Sequence, residues 1–88
     1  MACSGGETDV VESGTYTGTI DNVEAEETEI YVETNDGKRL ELYFTETTEL
    51  TRNGETVPFS TLEEGQRVEV EVQQVGQRLD PLSVRVLE

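Results

Sequence analysis

From Thr15 onward, apolar and polar residues alternate with a period of two, the pattern of strands with one buried face. No helical periodicity of useful length appears. The first strand is expected over Thr15 to Val23, with Tyr16, Gly18 and Ile20 on one face. Gly18 in mid-strand marks a close backbone approach or a bend of the sheet. Ile30 and Val32 continue the apolar face, followed by Leu40, Leu42 and Phe44 after the turn Thr34-Asn35-Asp36-Gly37-Lys38. A two-residue turn there sets Val32 opposite Glu41. A three-residue loop, Asn35 to Gly37, sets Val32 opposite Leu40 and Ile30 opposite Leu42. The second register keeps the apolar face whole and gives Gly37 the left-handed position, so it is the one expected.

Arg52-Asn53-Gly54-Glu55 carries the signal of a two-residue hairpin turn and sets Leu50 opposite Val57. Pro58 to Gly65 interrupts the strands. One short helical turn is expected near Ser60 to Glu64, capped by Ser60 with Glu63 three residues on, and Leu62 plugs the end of the fold. Val68, Val70 and Val72 alternate with Glu69, Glu71 and Gln73, and Leu82, Val84 and Val86 form the last strand. Asp80-Pro81 breaks that alternation, and a proline lacking its N–H predicts a bulge or a sheet edge. Five to six strands, each with one apolar face and no helix to cover them, must close on themselves. The fold class expected is all-β: a small, closed or partly open antiparallel β-barrel, OB-like, as a single domain over 15–88.

Composition narrows the function. Twenty acidic residues against six basic ones give a net charge of −14. Such a surface repels phosphate backbones and anionic lipid head groups, so no nucleic acid is expected as a partner. The acid-rich, Lys-poor composition resembles that of proteins from salt-loving organisms. There is no His and one Cys, Cys3, which leaves no His acid–base chemistry, no internal disulfide and no zinc cluster. No cofactor is expected.

The start Met1-Ala2-Cys3-Ser4-Gly5-Gly6 resembles a bacterial lipoprotein cut just after its signal peptide. The resemblance implies a small residue, Ala2, before a lipidated Cys3, and residues 1–14 as a flexible tether. It implies an extracytoplasmic protein, anchored to the cell membrane or outer membrane only through the lipid on Cys3. The segment Gly18 to Val86 resembles a bacterial family of small extracytoplasmic OB-like barrels of unassigned function. The matching elements are Gly18-Thr19-Ile20, Thr34 to Gly37, Asn53-Gly54, Leu62 to Val70 and Val84 to Val86. These are turn and core signals, and they speak for fold more than activity.

Four groups of side chains are weighed as candidates for chemistry. Asp21, Glu24, Glu26 and Glu27, with Glu29 nearby, form an acidic cluster near the first turn and a weak cation site, although solvated surface charge explains them as well. Glu33, Glu41, Glu69 and Glu71 face outward, and their spacing neither makes a cleft nor raises a pKa, so no enzyme is expected. Hydroxyls at Thr45 to Thr48, Thr51 and Ser60 have no accompanying base. Tyr31 and Tyr43 face outward on adjacent strands and form a possible binding face, suited to a neutral sugar, a peptide or a basic partner. Cross-strand packing is the plainer account of the pair. The function expected is a monomeric, non-catalytic module of the cell envelope that binds a protein or saccharide. The alternatives are a structural accessory subunit with no small ligand and, against the charge, an OB-type nucleic-acid binder.

Overall fold

In the computed structural model, which describes residues 8–87, the chain is an all-β barrel of the expected class. Its strands are β1 (Gly14–Glu24), β2 (Glu29–Thr34), β3 (Arg39–Tyr43), β4 (Glu49–Arg52), β5 (Glu55–Thr56), β6 (Arg67–Val75) and β7 (Arg78–Val86). They form one seven-stranded sheet in the order β3-β2-β1-β6-β7-β4-β5. The sheet curls until β3 packs against β7, with no ladder between the two. Strand number exceeds the expected five to six because each arm of the Asn53-Gly54 hairpin is a strand, the second only two residues long.

Alternation along each strand builds the core. Ile20 of β1, Ile30 and Val32 of β2, and Leu40 and Leu42 of β3 are buried, as are Val68, Val70 and Val72 of β6. The β2–β3 register sets Val32 on Leu40 and Ile30 on Leu42. The Thr34 N–H donates to Lys38 O at 2.7 Å, and Gly37 takes a φ of 90°. Arg52 pairs with Glu55 and the Val57 N–H donates to Leu50 O, the register of a two-residue Asn-Gly turn.

Four expectations are corrected. First, β4 runs parallel to β7, pairing Glu49 with Ser83 through Arg52 with Val86. After β3 the chain turns through Thr45–Thr48 and returns beside β7 in the same direction, which alternation alone does not encode. Second, the short helical turn is a 3-10 turn at Phe59–Thr61 with Pro58 at its N-cap and no side-chain cap. Ser60 does not cap it. Leu62 follows in an extended conformation and is buried, and Glu64 and Gly65 form a separate turn. Third, the β6–β7 register shifts so that Glu71 pairs with Ser83 and Val72 with Pro81, leaving Leu82 bulged out and 42% exposed. The inward residues of β7 are therefore Leu79, Pro81, Val84 and Val86. Fourth, residues 9–13 pack on the barrel instead of trailing as a tether. The Asp9 N–H donates to Arg39 O at 2.7 Å and the Arg39 N–H to Asp9 Oδ2 at 3.0 Å. Val11 lies against the core, and Ser13 Oγ accepts from the Gln74 N–H. Cys3 lies outside the described residues.

Candidate functional site

The outer face of β2 and β3 carries the site. Hydrogen-bonded and open pairs alternate along this hairpin, and side chains stand close in the open pairs. Bonds at Thr34–Lys38 and from the Phe44 N–H to Thr28 O (2.8 Å) fix the phase. Glu29–Tyr43 and Tyr31–Glu41 are thus open pairs. Two carboxylates and two phenols share one patch of the outer face.

Glu29 is the unexpected member. Alternation puts it on the outside, yet it is only 2% exposed, and its Oε2 is buried with no hydrogen-bond partner. Burial pushes its carboxyl up to about 7, the Glu41 carboxylate adds to the rise, and the hydroxyls of Tyr43 and Tyr31 oppose it. Burial and the same two carboxylates push the Tyr43 hydroxyl up to about 12. Tyr31 is raised by burial first, then by Glu41 and Glu29. Sequence reasoning grouped Glu29 with the acids of the first turn and missed it as a member of this face. Its signal was in the register, where an acid lies opposite one tyrosine and two residues from another.

The two tyrosines differ. Tyr31 is half-buried, with the Arg39 guanidinium 4.6 Å from its ring centroid. Arg39 also meets Asp21 at 3.2 Å, an acid at the bulge that interrupts the β1–β2 register between Ile20 and Asn22. Tyr43 is 46% exposed. With Glu41 it lines a cleft of about 220 Å³ whose other lining residues include Thr8 to Val10, Arg78 and Leu79. A ligand reaching this face meets the Tyr43 ring and the Glu41 carboxylate first.

The expected weak cation site does not form. Among the described residues no three or more acidic, His or Cys side chains group to hold a metal ion. Asp21 turns to Arg39, Glu24 accepts from Asn22 Nδ2 at 2.8 Å, and Glu26 and Glu27 stand exposed on the turn Ala25–Glu27. The hydroxyls of Thr45, Thr47 and Thr48 bond to one another and to the Thr45 and Thr47 N–H groups, which is turn chemistry. At one end of the barrel Phe44 and Phe59 meet edge to face, with ring centroids 5.1 Å apart.

No protein-family model matches the chain, and no curated protein matches it. Solved structures of CusF from Escherichia coli share its fold. A copper(II)-bound variant superposes with a TM-score of 0.69 at 13% identity, covering 100% of both chains. The silver(I) form gives 0.68 at 13% identity over 90% of this chain and 96% of that one. The apo form gives 0.65 at 14% identity over 100% of this chain and 99% of that one. At such identities the likeness is one of fold. It extends to the whole barrel, including the strand pair that carries the patch.

Proposed function

We propose that this chain is a non-catalytic binding module of the cell envelope, tethered outside the cytoplasm by a lipid on Cys3. Its contact surface for a protein or saccharide partner is the outer face of β2 and β3. The observation that carries this reading is Tyr43, a large aromatic ring left 46% exposed at the lip of a cleft, beside a buried carboxylate. Exposed aromatics on rigid strands are the usual means by which small barrels hold oligomers. The Ala2-Cys3 start followed by Ser4-Gly5-Gly6 supports the tether.

The metal ions bound by the CusF structures do not transfer. Silver(I) is a soft ion that seeks sulfur and imidazole donors. This chain has no His, and its only Cys and only Met are Cys3 and Met1, so the barrel strands offer neither sulfur nor imidazole. The donors on the outer face are oxygens.

Amide spectra of the 15N-labelled protein test the surface, with triacetylchitotriose and trilysine as probes. Shifts concentrated at Tyr31, Glu41 and Tyr43, lost in Tyr43→Ala with the remaining spectrum unchanged, are the expected result. Shifts confined to other strands, or none with either probe, remove this face as the contact surface. Intact mass of the protein from its source cells tests the tether. A gain matching a diacylglyceryl thioether on Cys3 is expected, and an unmodified Cys3 refutes the anchor.

A further inference from the structure

Glu29 Oε2 is a buried acceptor with no hydrogen-bond partner, on a face whose Arg39 guanidinium is turned to Tyr31 and Asp21. Leaving such a group unsatisfied costs free energy that a donor would recover, and most of all a charged donor. We propose that the patch formed by Glu29, Glu41, Tyr31 and Tyr43 receives one primary ammonium group, such as the tip of a partner's lysine, in competition with a proton. The proposal rests on the reading of the β2–β3 face as the contact surface and names what that surface selects.

An ammonium fits the chemistry of the patch better than other cations. It is a compact charge with three donors on a slender stem, able to reach an oxygen that a planar guanidinium reaches poorly. The cation already next to this face is a guanidinium, and it sits over Tyr31 instead of in the pocket. A divalent cation such as calcium asks for six to eight oxygens, and only two carboxylates are here. The exposed ring of Tyr43 adds a face that attracts cations. Glu41 and Tyr43, which belong to this patch, also line the cleft, which gives the group an approach from solvent.

The charges around Glu29 set the competition. Glu24 of β1 is its register partner, and Asp21 lies further along that strand. Glu33 is on β2, Glu41 and Arg39 are on β3, Arg78 of β7 borders the cleft, and Asp9 lies across it. Arg39 is engaged by Asp21 and Arg78 by Asp80 at 2.9 Å. The acids outnumber the bases, so the patch gathers one positive charge, proton or ammonium, and the buried Glu29 titrates near neutrality. Deprotonation opens the position to the ammonium.

The test is a titration of the labelled full chain with n-butylammonium chloride at about pH 5.5 and about pH 8.5, at constant ionic strength. Tetramethylammonium and calcium chlorides serve as controls. Shifts at residues 29, 31, 41 and 43 are expected, with affinity about thirtyfold higher at the upper pH. Tetramethylammonium, which has no donors, is expected to bind more weakly. Glu29→Gln, nearly the same shape, is expected to lower the affinity about tenfold or more at the upper pH and to abolish its pH dependence. Glu41→Gln is the second variant should the first perturb the fold, and weaker binding is expected there too. Binding that ignores pH, survives Glu29→Gln or is exceeded by calcium overturns the proposal. Silence with butylammonium while triacetylchitotriose still shifts Tyr43 overturns this receptor alone, whereas silence with every probe overturns the contact surface as well.

Discussion

Replacing Gly18 by alanine is expected to destabilise the barrel by about 2–4 kcal/mol, a large share of the stability of a domain this small. Gly18 sits where β1 is paired on both sides, with Thr34 of β2 and Val68 of β6. A Cβ added there would run into the carbonyl oxygen of Glu33, with that carbonyl's carbon at 2.8 Å and Thr34 Cα at 2.9 Å. All three are backbone atoms, so no rotamer change relieves the clash. β1 would have to move off β2 while β6 holds it from the other side. Urea unfolding followed by circular dichroism measures the effect. A lower midpoint with an unchanged slope is the expected outcome, and a loss below about 0.5 kcal/mol would show that the two strands are not held this close.

Raising the pH is expected to weaken the fold, and Glu29→Gln is expected to remove much of that dependence. The folded-state pKa of Glu29, about 7, lies above its ordinary value of 4.5. Between those limits the folded protein keeps a proton that the unfolded chain has released. Its contribution to stability is present in full below about pH 4.5 and is lost as pH rises through about 7. Allowing for screening at the protein surface, the loss is about 1–2 kcal/mol. The net charge of −14 pushes in the same direction, since acids that ionise on a compact surface repel one another. The variant separates the two effects. Glu29→Gln should match the wild type near pH 4.5 and exceed it near pH 8, as read from thermal midpoints across the range. Parallel curves for the two proteins would place the pH dependence in the general charge and not in Glu29.

Local rules made the hairpins legible. Asn35 to Gly37 and Asn53-Gly54 each fix a register, and in both the register that the turn prefers keeps apolar residues opposite apolar residues: Val32 with Leu40, and Leu50 with Val57. Pro81 announced its bulge by lacking an N–H. The inward position of Leu82 was misread because alternation is counted through a bulge that skips one residue. Ser60 had the right chemistry for a cap, but the turn takes Pro58 as its N-cap, two residues before it. The parallel pairing of β4 with β7 left no mark, since a strand carries the same alternation in either direction. Nor did the burial of Glu29, whose register partner Tyr43 is fourteen residues away across a ladder. The tyrosines were visible in the sequence as an outward pair. What was not visible is that Arg39 lies over one of them and that an acid is buried beside both.

The place of β1 in the sheet also governs how the barrel assembles in time. The hairpins β2–β3, β4–β5 and β6–β7 each join neighbours in sequence and can zip from their turns. β1 is different: it bridges β2, next in the chain, and β6, whose partners for Gly14 to Thr19 run from Val72 back to Arg67. That union must bring together segments about half the chain apart, and it must set Gly18 against two backbones at once. Closing so long a loop before its contacts repay the lost chain freedom makes this the slow step, in the millisecond-to-second range of sheet proteins rich in distant pairings. Until it is complete, the nascent chain carries finished hairpins whose apolar faces have nothing to close over.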